Sequence, residues 1–161
     1  TFQERRGLIQ GKVVTFIGDG ACNVPVSWMH AAAALDFELR IAAPAEFQPS
    51  TETLAKAGGI ITCTEDVCAA VDGADVVYTD VWVSMGMEAE AEERLAKLAS
   101  YQINGALMRL AKPDALVMHC LPAYRGKEID AETFEEHADT IFTQAENRLH
   151  TQKAILAWLA G

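Results

Sequence analysis

The 161-residue chain is 50% hydrophobic and 22% charged, with 11 Gly and 5 Pro, a balance that excludes collagen-like repetition and a disordered composition. Thirteen Lys and Arg against 23 Asp and Glu leave a formal charge of -10, so the average surface repels phosphate backbones and anionic headgroups, and neither nucleic acid nor a membrane is expected as partner. The length allows one compact domain that buries roughly two-thirds of the unfolded surface, with no disulfide or metal staple required.

Residues 1–11 read as a linker or the end of a preceding helix, with Arg5-Arg6-Gly7 as a stop signal, and so abrupt a start suggests an absent upstream portion. The opening residues are not followed by a signal-peptide core. The uncharged run over 13–18 is far too short to cross a bilayer, so a cytoplasmic protein is expected. Cys22, Cys63, Cys68 and Cys120 lack C-x-x-C spacing and the density of a secreted scaffold; they read as reduced thiols, with no zinc or other metal.

From residue 12 onward, short apolar runs bounded by Gly, Asp or Pro alternate with amphipathic stretches. The patterning predicts, in order, a strand over 12–17, a helix over 26–35, a strand over 37–43, a helix over 51–57, a strand over 59–63 and a helix over 65–72. A strand over 75–79, helices over 89–99 and 102–111, a strand over 115–119, a helix over 131–137, a strand over 139–143 and a helix over 146–159 follow. Continuous rather than alternating apolar character marks strands covered on both faces. The order predicts a single α/β domain over 12–161: a doubly wound, Rossmann-like open parallel sheet with helices on both faces. Ligands in such sheets lie at the carboxyl ends of the strands, where strand order reverses.

The segments after the strands carry the chemistry. Gly18-Asp19-Gly20-Ala21-Cys22-Asn23 imitates a dinucleotide fingerprint, but Asn23 replaces its third glycine and Asp19 would set a negative charge beside a pyrophosphate, so a nicotinamide cofactor is disfavoured. The plainer alternative is a tight turn with Asn23 or Ser27 capping the helix. Asp80 at the end of the fourth strand and Ser84 four residues later can face one small cation, with Gly86 permitting motion; Asp80 alone could equally be a solvated turn. His119-Cys120-Leu121-Pro122 ends the fifth strand. Adjacent strand residues point to opposite sides, so His119 and Cys120 do not by themselves make a thiolate–imidazole dyad, and Cys120 could be a core thiol. Arg148 falls in the opening turn of the expected last helix, where the dipole prefers an acid. It either serves a polar ligand or pairs with Glu146.

Three motifs, Asp80-Val81-Trp82-Val83-Ser84-Met85-Gly86, His119-Cys120-Leu121-Pro122 and Glu146-Asn147-Arg148-Leu149-His150, resemble those of the ornithine carbamoyltransferase family in its second, ornithine-binding domain. Ala74-Asp75-Val76-Val77-Tyr78-Thr79 and Tyr101-Gln102-Ile103-Asn104 support the resemblance over nearly the whole chain. It implies transfer of a carbamoyl group from carbamoyl phosphate to L-ornithine, giving L-citrulline and phosphate with no metal or organic cofactor. Asn23, Asp80, Ser84 and Met85 resemble the groups that hold the α-amino and α-carboxylate ends of ornithine. Cys120 and Leu121 resemble residues lining the reacting centre, and Arg148 the contact to the carbamoyl oxygen. Cys22 stands where the family often has a first asparagine. The family's preceding carbamoyl-phosphate domain, with its Ser-Thr-Arg-Thr-type phosphate loop, does not occur in these residues. The resemblance further implies a homotrimer or higher assembly for the full-length enzyme, and little activity for this half alone.

An alkylammonium with a pKa of ~10.4 is neutral about once in 2,500 molecules at pH 7, so the amine needs help in losing its proton. On the resemblance, Asp80 and Cys120 position the amine and assist, the substrate phosphate is the final acceptor, Arg148 stabilises the carbamoyl oxygen, and the 84–86 segment closes over ornithine. Transfer to N-acylornithine or putrescine, a non-catalytic amino-acid-binding module, and a Rossmann-type oxidoreductase are the competing readings.

Overall fold

The computed structural model describes the chain except for Ser84, Met85, Met87 and the side chain of Glu88. Five β-branched and aromatic runs pair in parallel as β1 (Val13–Ile17), β2 (Glu38–Ala42), β3 (Ile60–Thr64), β4 (Val76–Thr79) and β5 (Leu116–His119). Their order is β3-β2-β1-β4-β5. The chain therefore winds outward from β1, then returns to its other side for β4, and the reversal lies between those two central strands. This is the doubly wound parallel sheet expected from the alternation of strands and helices.

Side chains along each strand divide between two cores, as the pleat requires. Val14, Phe16, Val76, Tyr78, Leu116 and Met118 pack on one face. There they meet α1 (Phe2–Arg6), α2 (Asn23–Leu35) and α3 (Thr51–Ala57) through Phe2, Met29, Ala32 and Ala57. Ile17, Val77 and Val117 pack on the other face against α4 (Val67–Val71), α5 (Ala91–Leu98), α6 (Gly105–Met108) and α7 (Ala131–Glu136). Four of these helices are stopped from fraying by a side-chain cap: Ser50, Asp66, Asn104 and Asp130 each accept the amide three residues on.

The helix expected over 102–111 is confined to α6, and Ile103 instead bridges Ile129. Two further expectations are corrected. Residues 139–143, expected as a sixth strand, lie in α8 (Ala138–Ala160). No Gly or Pro interrupts 138–160, and the buried pair Thr140 and Ile141 sits beside an exposed Phe142, so burial follows one side of a helix rather than both faces of a strand. The second correction concerns α2, which begins at Asn23 instead of residue 26 and has Cys22 at its cap position. Asn23 is thus the first helical residue, and Ser27 caps nothing: its hydroxyl donates back to the Asn23 carbonyl at 3.0 Å.

Residues 2–6 form α1, which is docked onto the body. Phe2 and Ile9 are buried, Arg5 donates to Thr143 Oγ1 at 2.9 Å, and Arg6 donates to the Asp114 carbonyl at 2.9 Å. Among the described residues, no helix is long and apolar enough to cross a membrane.

The first loop requires a glycine at position 20. A Cβ there would lie 2.6 Å from Ile41 Cγ2 and 3.1 Å from the Phe47 carbonyl oxygen, so the backbone of this turn rests directly on β2. Gly20→Ala is expected to destabilise the fold by about 1–3 kcal/mol, read as a lowered midpoint in thermal denaturation. An unchanged midpoint would mean that the loop relaxes without cost.

Candidate functional site

The carboxyl ends of β1, β4 and β5 lie side by side. Ile17 pairs with Thr79, and Thr79 pairs with His119, so the residues that follow these strands emerge on one edge. Thr79 Oγ1 donates to the Ile17 carbonyl at 2.7 Å and fastens the two strand ends where strand order reverses.

Three of the residues singled out in the sequence form one connected unit there. The Cys120 thiol donates to Asp80 Oδ1 at 3.1 Å, and the Val81 amide donates to the same oxygen at 2.8 Å. Arg148 reaches down from the middle of α8, and its Nη1 donates to the Cys120 carbonyl at 3.1 Å. Its position is mid-helix rather than the opening turn, so the helix-dipole argument does not apply. Glu146, the alternative partner, sits 3.5 Å from His150 instead. Tyr78 and Gln144 extend the unit: the Gln144 amide donates to the Tyr78 hydroxyl at 3.2 Å, and that hydroxyl lies beside the Cys120 sulfur.

The thiols and the phenol at this edge are partly desolvated, with the Asp80 and Arg148 charges beside them. Burial pushes the Cys120 thiol up to about 12, assisted by the Asp80 charge. Cys22 is pushed up to about 12 for the same leading reason, with Asp19, Asp80 and Cys120 adding to it. Burial raises Tyr78 as well, with Cys120 and Asp80 behind it. Cys22, at the cap of α2, is therefore within electrostatic reach of Asp80 and Cys120, which brings the first loop to the same edge. Asn23 is exposed as the first residue of α2. Leu121 is half-buried and takes a positive φ of 55°. Ser84 and Met85 lie outside the described residues. Trp82 is core, packed over Gly18.

Asp80, His119 and Cys120 each bring one donor atom to within 4.8 Å of the other two. His119 is nevertheless fully engaged. The Leu121 amide donates to its Nδ1 at 2.9 Å, and its Nε2 faces Glu128 Oε1 at 3.2 Å, so ligation by His119 would break one of these contacts.

Sequence reasoning missed the buried ion pair between Asp19 and Arg94, which joins the first loop to α5. Arg94 Nε also donates to the Trp82 carbonyl at 2.7 Å, and the guanidinium lies 4.7 Å from the centre of the Phe47 ring. One buried cation thus ties the loop after β1 to the loop after β4. No local signal announces it, because the partners are 75 residues apart. The same Asp19 that argued against a pyrophosphate is a structural anchor.

An α/β domain with a polar, partly desolvated site at its switch point is a small-molecule binding domain. The aspartate/ornithine carbamoyltransferase Asp/Orn binding domain matches residues 10–159, and the chain belongs to this family. It is 51% identical over 159 residues to the ornithine carbamoyltransferase of Methylococcus capsulatus, covering 99% of this chain and 53% of that protein. The anabolic ornithine carbamoyltransferase of Campylobacter jejuni superimposes with a TM-score of 0.90 at 40% identity, over 98% of this chain and 55% of that one. That of Pyrococcus furiosus does so with a TM-score of 0.85 at 42% identity, over 97% and 52%. The chain spans about half the length of the relatives it matches.

With its pKa at about 12, the Cys120 thiol carries roughly one thiolate in 10,000 at pH 8. Iodoacetamide at pH 8 is expected to modify the exposed Cys68 well before Cys120 or Cys22, as read by peptide mass spectrometry. The linked stability has a defined sign. Both thiols hold their protons in the folded state above the ordinary thiol range, so stability falls as pH rises from about 9 toward 12. Cys120→Ser should flatten part of that loss in urea titrations across this window.

Proposed function

We propose that this chain is the ornithine-binding half of a carbamoyltransferase that transfers the carbamoyl group of carbamoyl phosphate to the δ-amine of L-ornithine. The observation that carries the reading is the hydrogen-bonded sequence from Asp80 through Cys120 to Arg148 at the strand reversal. It sets an anion and a cation on opposite sides of one residue, as an incoming amine and a carbonyl oxygen gathering charge require. The names of the relatives support the same substrate.

In the proposed reaction the neutral δ-nitrogen attacks the carbamoyl carbon, the new C–N bond forms, and the C–O bond to phosphate breaks. Phosphate leaves with the amine proton, and citrulline remains. Cys120 keeps its proton at neutral pH, so it is a donor that orients Asp80 rather than the base. Arg148 stabilises the developing oxyanion. Asn23, Ser84 and Met85 hold the amino-acid end together with Asp80, and Leu121 lines the reacting centre. No metal or organic cofactor enters this scheme.

Carbamoyl phosphate needs a second domain, which we place in the other half of the relatives' length. It would cover the outer stretch of α8, where every residue from 148 to 161 is exposed, Leu149, Ile155, Leu156, Trp158 and Leu159 among them. The Asn147 amide at the foot of that stretch donates to Thr1 Oγ1 at 2.7 Å, so a domain joined ahead of Thr1 would enter beside it. In the full-length enzyme we expect a trimer.

Arg148→Ala in the enzyme as its gene encodes it should lower kcat by about 10²–10³-fold, the usual loss for one oxyanion donor. Near-normal turnover would remove Arg148 from the chemistry. Calorimetric titration in the presence of carbamoyl phosphate should rank ornithine above N-acetylornithine and putrescine. The free α-amino group is a cation for Asp80, and putrescine has no carboxylate for Asn23. Stronger binding of either rival would reassign the substrate.

A further inference from the structure

Two buried titratable residues have no part in the scheme above. His119 is 0% exposed and Glu128 1% exposed, and both sit directly behind the segment that carries Cys120. Their contacts form one unbroken series. The Leu121 amide donates to His119 Nδ1 at 2.9 Å, His119 Nε2 faces Glu128 Oε1 at 3.2 Å, and the Tyr124 amide donates to that same oxygen at 2.6 Å. Because Nδ1 accepts the Leu121 amide it carries no hydrogen. The ring hydrogen is therefore on Nε2 and points at Glu128.

We infer that His119 and Glu128 are positioning residues that act as an internal clasp on the 120–124 turn, fixing where Cys120 meets Asp80 and Arg148. The clasp grips the turn at both ends, through the amides of Leu121 and Tyr124. It holds Leu121 in the left-handed region at φ 55°, a conformation a branched side chain adopts only when its surroundings impose it. That local twist turns the Cys120 thiol toward Asp80 and leaves its carbonyl for Arg148. Although one ring nitrogen of His119 lies within 4.8 Å of the Cys120 sulfur, Nδ1 already accepts from the Leu121 amide and Nε2 is turned to Glu128. His119 is therefore not a proton acceptor for the thiol.

This inference rests on the functional reading of the site, and the test separates the two. Asn and Gln each reproduce one edge of the imidazole. His119→Asn offers an oxygen where Nδ1 accepts from Leu121, whereas His119→Gln offers an N–H toward Glu128 and leaves the Leu121 amide unmatched. Each variant loses one buried hydrogen bond, so a merely structural role predicts similar falls in Tm and in kcat for both.

The clasp predicts that H119Q lowers kcat about 100-fold, the cost of a misplaced reacting group, with KM for carbamoyl phosphate unchanged, and that H119N recovers most of the loss with a wild-type pH profile. Hydrogen–deuterium exchange of the peptide spanning 120–125 should be slow in the wild type and in H119N, and fast in H119Q. Equal loss of kcat in the two variants, a shifted pH profile in H119N, or equal exchange in all three proteins would overturn the clasp. If the wild-type enzyme forms no citrulline, the functional reading fails, and the exchange contrast still decides the clasp.

Discussion

A parallel sheet whose strand order reverses must open at the reversal, and this protein gathers Asp80, Cys120 and Arg148 at that opening. Crossovers from β1 lead toward β2 and β3, whereas the later strands add on the other side, so the segments leaving β1 and β4 part company directly above two paired strands. The pairing of Ile17 with Thr79, reinforced by the Thr79 hydroxyl, sets the height of both loops. The same register carries through Thr79 to His119, and so to Cys120. A slip of one residue in either pairing would turn Asp80 or Cys120 to the opposite face. Every other feature of the site presupposes this register.

The loops above the sheet are fixed by buried polar contacts rather than by more secondary structure. Arg94 binds Asp19, the Trp82 carbonyl and the face of Phe47, and thereby joins the loop that begins α2 to the loop that follows Asp80. Breaking such a pair by removing one partner leaves an uncompensated charge, typically at 3–5 kcal/mol, so the arrangement is strongly specified even where the pair adds little net stability. The third loop is held by the His119 and Glu128 contacts. Two rigid supports thus flank the softer contact between the Cys120 thiol and Asp80. That contact is maintained by a thiol that burial keeps protonated.

The two ends of α8 have different physics. Its first turns bury Thr140 and Ile141 and deliver Gln144 and Arg148 to Tyr78 and Cys120. From residue 148 onward every residue of the helix is exposed, Trp158 at 81% among them, and an exposed apolar group is costly in water. One helix therefore contributes to the candidate site through its first half and leaves an apolar surface exposed along its second.

The sequence by itself determined the five strands, the parallel order of the fold class and the motifs at the strand ends. These properties are written within windows of a few residues: apolar runs closed by Gly or Asp, and caps such as Ser50 and Asp130. It misled at 139–143, where a short β-branched run is compatible with either element and only packing against β5 selects helix. Asp80, Cys120 and Arg148 could be named but not joined, because the bonds between them span 40 and 28 residues. The supports were invisible for the same reason: Asp19 and Arg94, or His119 with Glu128, acquire meaning only when the chain's path brings them together. Tertiary structure decided those contacts because hydrogen bonding acts over a few ångströms of space, whatever the distance along the chain.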